Sequence, residues 1–104
     1  MENNIKVTCK DGIIKAELTG RLDASTAPEL QNALKEVIDQ PIHDLVFLTK
    51  DLEYISSAGL RVIIFTKQKL GVDTKVYLIG AQDTVLEVVK MSGLDNFMII
   101  QDEY

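Results

Sequence analysis

The sequence predicts an α/β fold: a mixed sheet of four to five strands, an opening β-hairpin and about three amphipathic helices. Three observations carry this expectation. Asp11-Gly12 stands between two runs of alternating apolar and polar residues, which is the pattern of a hairpin closed by a type I′ turn. After it, strand-like and helix-like stretches alternate, so successive strands need crossover connections, right-handed as a rule, and pair in parallel. Residues 45–48 (LVFL) are apolar on both alternating faces, as suits an interior strand covered on both sides or nearly so.

Each element has its own warrant. With Asp11-Gly12 as a two-residue loop, residues 4–19 pair Ile5 with Leu18, Val7 with Ala16 and Cys9 with Ile14 on one face. Lys6 then meets Glu17, and Thr8 meets Lys15, on the other. A slip of one residue would turn the apolar set into water, so register and alternation support one another. Gly20, Arg21, Leu22 and Asp23 read as a connection, after which Thr26 and Glu29 form a T-x-x-E capping box with Pro28 in the first turn. Leu30, Leu34, Val37 and Ile38 follow at helical spacing and Pro41 stops the run, giving a helix over 26–39. Residues 49–55 read as a connection from the apolar strand to a second helix over 57–70, which Gly71 ends. That helix turns Leu60, Ile63, Ile64 and Leu70 to one side; Val62 and Phe65 lie on another, with Lys69, and either meet a flanking helix, the preferred reading, or form an exposed apolar contact for a partner. A strand over 75–79, a helix over 83–91 capped by Gly93 and a last strand over 97–100 complete the chain.

Length and composition narrow the function classes. A chain of 104 residues, 46% hydrophobic and 26% charged, reads as one domain, 1–104, with enough core to fold without metals or disulfides. A net charge of −5 disfavours both nucleic acid and anionic membrane surfaces, which need a basic patch. No apolar run reaches the length of a membrane span, and the opening MENNIK lacks the apolar core of a signal peptide, so a cytoplasmic location is expected. The single cysteine, Cys9, falls on the inward face of its strand and reads as a structural thiol.

The stretch 44–70 organises the rest. A helix that opens at Ser56-Ser57 leaves unpaired amides and a partial positive charge at its start, so either serine could cap it and an anion could sit there. Gly59 in the first turn is unfavourable against alanine by about 1 kcal/mol, which signals close approach by something or a backbone that side chains would obstruct. With Ala58, it is expected to leave a bare surface round the serines.

YISSAGLRVI resembles the sequence that marks the STAS domain family of bacterial anti-sigma factor antagonists. GRLDASTAPEL near the front and the spacing to LEVVKMSGLDNF near the end extend the resemblance over nearly the whole chain. The resemblance implies a STAS-like domain and a phospho-acceptor serine two residues before Gly59, namely Ser57, with Ser56 as the alternative. Many members have Asp where this chain has Ser56, and Ser or Thr where it has Ala58. It further implies a partner-binding face of Asp23, Ser25, Ser56, Ser57, Ala58, Gly59 and Arg61, although the residues by themselves favour loop and capping chemistry for Asp23 and Ser25. The implied partners are an anti-sigma factor with serine kinase activity, which binds the unmodified chain, and a serine phosphatase that reverses the modification.

No enzymatic activity, cofactor or metal is expected. The only histidine, His43, precedes the apolar strand whose far end leads towards Ser57, so it is badly placed to act as a base. No G-x-S-x-G elbow, P-loop, dinucleotide fingerprint or metal-spaced Cys/His set occurs. Asp51 after an apolar strand would suit a receiver domain, but the first strand ends in no acidic pair to hold Mg²⁺. A second reading keeps the fold and drops the phospho-switch: a STAS-type accessory or scaffold subunit of a lipid-transport or signalling complex.

Overall fold

The hairpin closes through Asp11 (φ 54°) and Gly12 (φ 78°), the two positive φ angles that a type I′ turn demands. It joins β1 (Asn4–Lys10) to β2 (Ile13–Leu22), and the pairs Ile5↔Leu18, Val7↔Ala16 and Cys9↔Ile14 form in the expected register. In this computed structural model residues 4–104 are described; Met1 to Asn3, which open the expected 1–104 domain and the MENNIK stretch, lie outside the described residues.

After the hairpin come α1 (Ala27–Lys35), β3 (Asp44–Ile55), α2 (Ser57–Leu70), β4 (Lys75–Ile79), α3 (Asp83–Met91) and β5 (Ile99–Gln101). The sheet is mixed, its five strands standing in chain order with β1 antiparallel to β2 and all later neighbours parallel. β3 is therefore interior along 44–48, with β2 on one side and β4 on the other.

Two strands run further than the sequence pattern indicates. Gly20, Arg21 and Leu22 belong to β2, and 49–55 belong to β3, where connections were expected. Beyond Leu48, β2 is the only strand paired with β3 among the described residues, and the register shifts twice, after Glu17↔Leu48 and after Gly20↔Leu52, each time admitting one extra β3 residue. The buried positions of this segment, Thr49, Leu52 and Ile55, consequently fall three apart instead of two. Bulges erased the alternation by which a strand is read.

One apolar cluster sits between the helices and one face of the sheet. Ile14, Ala16, Leu18, Leu45, Phe47, Val76 and Leu78 from the strands pack with Leu30, Leu34, Leu60, Ile63, Val85 and Val89 from the helices. Cys9 is a free, half-buried thiol packed against this cluster. On the opposite face Lys15, Val46 and Tyr77 stand in one row across β2, β3 and β4. There Tyr104 folds back: its ring meets that of Tyr77 edge to face at 4.9 Å, the Lys15 ammonium lies 5.6 Å from it, and its hydroxyl donates to the Asp44 carboxylate. Tyrosines, not helices, thus flank the second face of the interior strand.

The helices differ from expectation in detail. α1 ends at Lys35, and 36–39 form turns in which Val37 and Ile38 stay half-buried. In α2, Val62 is buried and faces the α1 side, but Phe65 is 43% exposed, with the Lys69 ammonium 5.0 Å from its ring. Ile64, expected inward, is half-exposed, and Thr66 takes the inward place by donating to the Val62 carbonyl at 2.7 Å. Gly93 (φ 79°) closes α3 and leads into a 3₁₀ turn, Leu94–Phe97, so that Phe97 is exposed and outside the last strand.

Candidate functional site: the start of helix α2

Parallel strands that feed helices bring their carboxyl ends, and the loops that follow, to one edge of a sheet. Here β2 ends at Leu22 and β3 at Ile55, paired as neighbours. The Ser56 amide donates to the Leu22 carbonyl at 2.9 Å, so the serine pair opens directly beside the Asp23 loop.

The two serines have different surroundings. Ser56 is the N-cap of α2, half-buried, with extended backbone (φ −99°, ψ 175°) and a hydroxyl that accepts from the Gly59 amide at 3.5 Å. Ser57, the first helical residue, is exposed, and its hydroxyl makes no hydrogen bond among the described residues. The first turn of α2 has no acidic residue, so nothing on the helix itself offsets the positive end of its dipole.

Gly59 meets the close approach expected of it, but not the bare outward surface. It is buried, and a Cβ there would come within 2.9 Å of Ile55 Cγ1 and of Leu22 Cγ and Cδ2. The glycine lets α2 settle onto the carboxyl ends of β2 and β3; the small surface it provides faces inward, not towards a partner. Ala58 is half-buried and Arg61 exposed, and both line an open groove of about 460 Å³ between α1 and α2, along with Ala24, Pro28 and Phe65.

Asp23 organises the neighbouring loop. Its Oδ1 accepts from the Ser25 hydroxyl at 2.7 Å, the Ser25 amide at 3.0 Å and the Thr26 amide at 3.3 Å. The Ser25 hydroxyl, with these amides, holds the carboxyl below its ordinary 3.8, since each bond favours the charged form. The expected Thr26–Glu29 capping box does not form: Thr26 Oγ1 instead donates to the Arg21 carbonyl at 2.9 Å and accepts from the Asp23 amide at 2.9 Å. Asp23, three residues earlier, takes the Thr26 amide that Glu29 would have capped, and the Glu29 amide donates to the Thr26 carbonyl at 3.0 Å, so the threonine hydroxyl is left to brace the loop.

Of the residues singled out in the sequence, Asp23, Ser25, Ser56, Ser57, Ala58 and Arg61 gather at this edge, while His43 lies exposed at the opposite end of β3. The sequence reading missed Arg21 and Tyr54, paired across β2 and β3, with the guanidinium carbon 4.2 Å from the ring centroid and Nε 3.7 Å from Asp23 Oδ2. With 49–55 read as a connection, nothing marked the two as neighbours. Among the described residues no group of three His, Cys, Asp or Glu side chains could hold a metal ion, and no helix is long and apolar enough to cross a membrane.

Comparison with known proteins places this geometry in context. The sequence is 26% identical to the anti-sigma-B factor antagonist of Staphylococcus aureus over 103 residues, 98% of this chain and 95% of that protein. Among solved structures, an anti-sigma factor antagonist from Mycobacterium paratuberculosis superposes with a TM-score of 0.84 and 25% identity, over 96% of this chain and 86% of its own. The anti-sigma factor antagonist SpoIIAA in its unphosphorylated form matches with a TM-score of 0.82 at 19% identity, over 93% of this chain and 87% of its own. In its phosphorylated form that Bacillus protein matches with a TM-score of 0.74 at 18% identity, over 93% and 90%. The STAS domain family matches residues 4–104, and the chain belongs to it.

Proposed function

We propose that this chain is an anti-sigma factor antagonist, a cytoplasmic binding module without activity of its own, switched by phosphorylation of Ser57. Unmodified, it binds an anti-sigma factor that is also a serine kinase, and so frees the sigma factor. The kinase then transfers the γ-phosphoryl group of ATP to the Ser57 oxygen, ADP departs and the complex dissociates; a serine phosphatase restores the hydroxyl. Relatives named as anti-sigma factor antagonists support the binding role.

The observation that carries the choice of acceptor is the contrast between the serines. Ser57 is exposed with an uncommitted hydroxyl, whereas Ser56 is half-buried and its oxygen caps the helix. Asp23, Ser25, Ser56, Ala58 and Arg61 surround the acceptor as the partner-binding face, with Gly59 shaping the helix path from beneath.

A phosphate at a helix start meets free amides and the positive end of the dipole, so the fold tolerates it. The binding face does not. Nearly two added negative charges and three strongly hydrated oxygens must be desolvated against a surface shaped for a hydroxyl, which costs several kcal/mol, roughly a hundredfold or more in affinity. Incubating wild type, Ser57→Ala and Ser56→Ala with the cognate kinase and ATP tests the assignment. Label is expected on wild type and Ser56→Ala and absent from Ser57→Ala; undiminished label on Ser57→Ala would refute it.

A further inference from the structure

We propose that Arg61 is the intramolecular partner of a phosphate on Ser57: phosphorylation closes an ion pair along the first turns of α2. The proposal rests on the reading of Ser57 as the acceptor, but its test does not.

Ser57 and Arg61 stand four residues apart in one helix, Ser57–Leu70, and both are exposed. Residues at that spacing lie on the same face, one turn apart, and the favourable order places the anion nearer the helix start, as it would be here. Arg61 is unengaged in the unmodified protein: among the described residues it makes no ion pair, hydrogen bond or ring contact. The other arginine at this edge, Arg21, is already held between the Tyr54 ring and Asp23. Asp23 in turn spends its oxygens on Ser25, Thr26 and Arg21.

The charges of α2 sharpen the point. Lys67 and Lys69 occupy its last turn, where the dipole favours cations, whereas Arg61 is a cation near the start of a helix whose first turn has no acid. Nothing on that helix answers its charge in the unmodified state. A phosphate on Ser57 would answer it directly, with a guanidinium fork matched to its oxygens. The modified face would then be rearranged as well as more negative, because the arginine exposed to the partner would be drawn onto the phosphate.

The test uses the full chain with phosphoserine incorporated at position 57 during synthesis, so it stands whether or not a kinase modifies that residue. A neighbouring cation favours the dianion, so ³¹P NMR titration should place the second ionisation, ordinarily near pH ~6, lower in wild type than in Arg61→Gln. The expected difference is about 0.3 pH units, as an exposed pair at this spacing gives. Arg61→Lys should recover most of it, and high salt should erase it. Titration midpoints of wild type and Arg61→Gln that coincide at low salt would overturn the proposal. Undiminished kinase labelling of Ser57→Ala would refute the acceptor assignment separately, removing the biological setting and leaving the ion pair intact.

Discussion

Replacing Gly59 with alanine sets two effects of opposite sign against each other, and the structure decides between them. Alanine improves intrinsic helix propensity by up to about 1 kcal/mol. Against this, the new methyl would stand 2.9 Å from Ile55 Cγ1 and from Leu22 Cγ and Cδ2, closer than carbon atoms tolerate. Leu22 and Ile55 are each 1% exposed, so neither side chain can swing into solvent. α2 must therefore lift or two core side chains must leave their rotamers, an overpacking cost of about 1–3 kcal/mol. The net is a loss of roughly 1–2 kcal/mol, equivalent to a fall in Tm of about 5–10 °C for a domain of this size. Thermal unfolding followed by circular dichroism reads it directly. Trimming the obstructing side chain in the double variant Leu22→Ala/Gly59→Ala should cost less than the sum of the single changes. A Gly59→Ala protein that melts at or above the wild-type temperature would refute the argument and return Gly59 to the role of an outward contact.

Ser56→Ala removes a long cap bond of 3.5 Å, so it should cost only about 0.5 kcal/mol, at the low end for N-caps, and leave labelling of Ser57 intact. Asp23→Asn should flatten acid sensitivity. The folded carboxyl titrates below 3.8, so its stabilising contribution is present above that value and fades as pH falls through the lower folded one; Tm against pH from neutral into this acid range should separate the variants. Partial burial and the bond to Asp44 push the Tyr104 hydroxyl up to about 12, and its contribution is held below the unfolded value of 10.0 and lost as pH rises to about 12. In an ultraviolet titration one of the three tyrosines should therefore ionise late, and Tyr104→Phe should remove that step.

Legibility followed the physics of each element. The hairpin could be read to its register because a two-residue turn and strict alternation constrain the same pairing twice, as Cys9↔Ile14 and Ile5↔Leu18 show. β4 and α3 were legible to the residue, bounded as they are by glycine turns and uninterrupted periodicity. Residues 49–55 were not, since two bulges spaced the buried side chains of β3 in threes. The capping box over Thr26 and Glu29 misled because Asp23 competed for the same amide and won. At the site, the serine pair was legible as a helix start. Gly59 showed that something approaches closely, but a missing side chain does not say from which direction. The stack of Arg21 on Tyr54 depended on the bulged pairing and left no trace in local spacing.

The most direct test of the switch compares the unmodified protein with the form phosphorylated at Ser57, measuring affinity for the anti-sigma partner and thermal unfolding on the same samples. The account predicts an affinity reduced by roughly a hundredfold or more, with a Tm unchanged or slightly raised, because the phosphate sits on free amides at the start of α2 and acts only at the face it shares with the partner. Undiminished affinity, or a large fall in Tm accompanying the loss of binding, would contradict it.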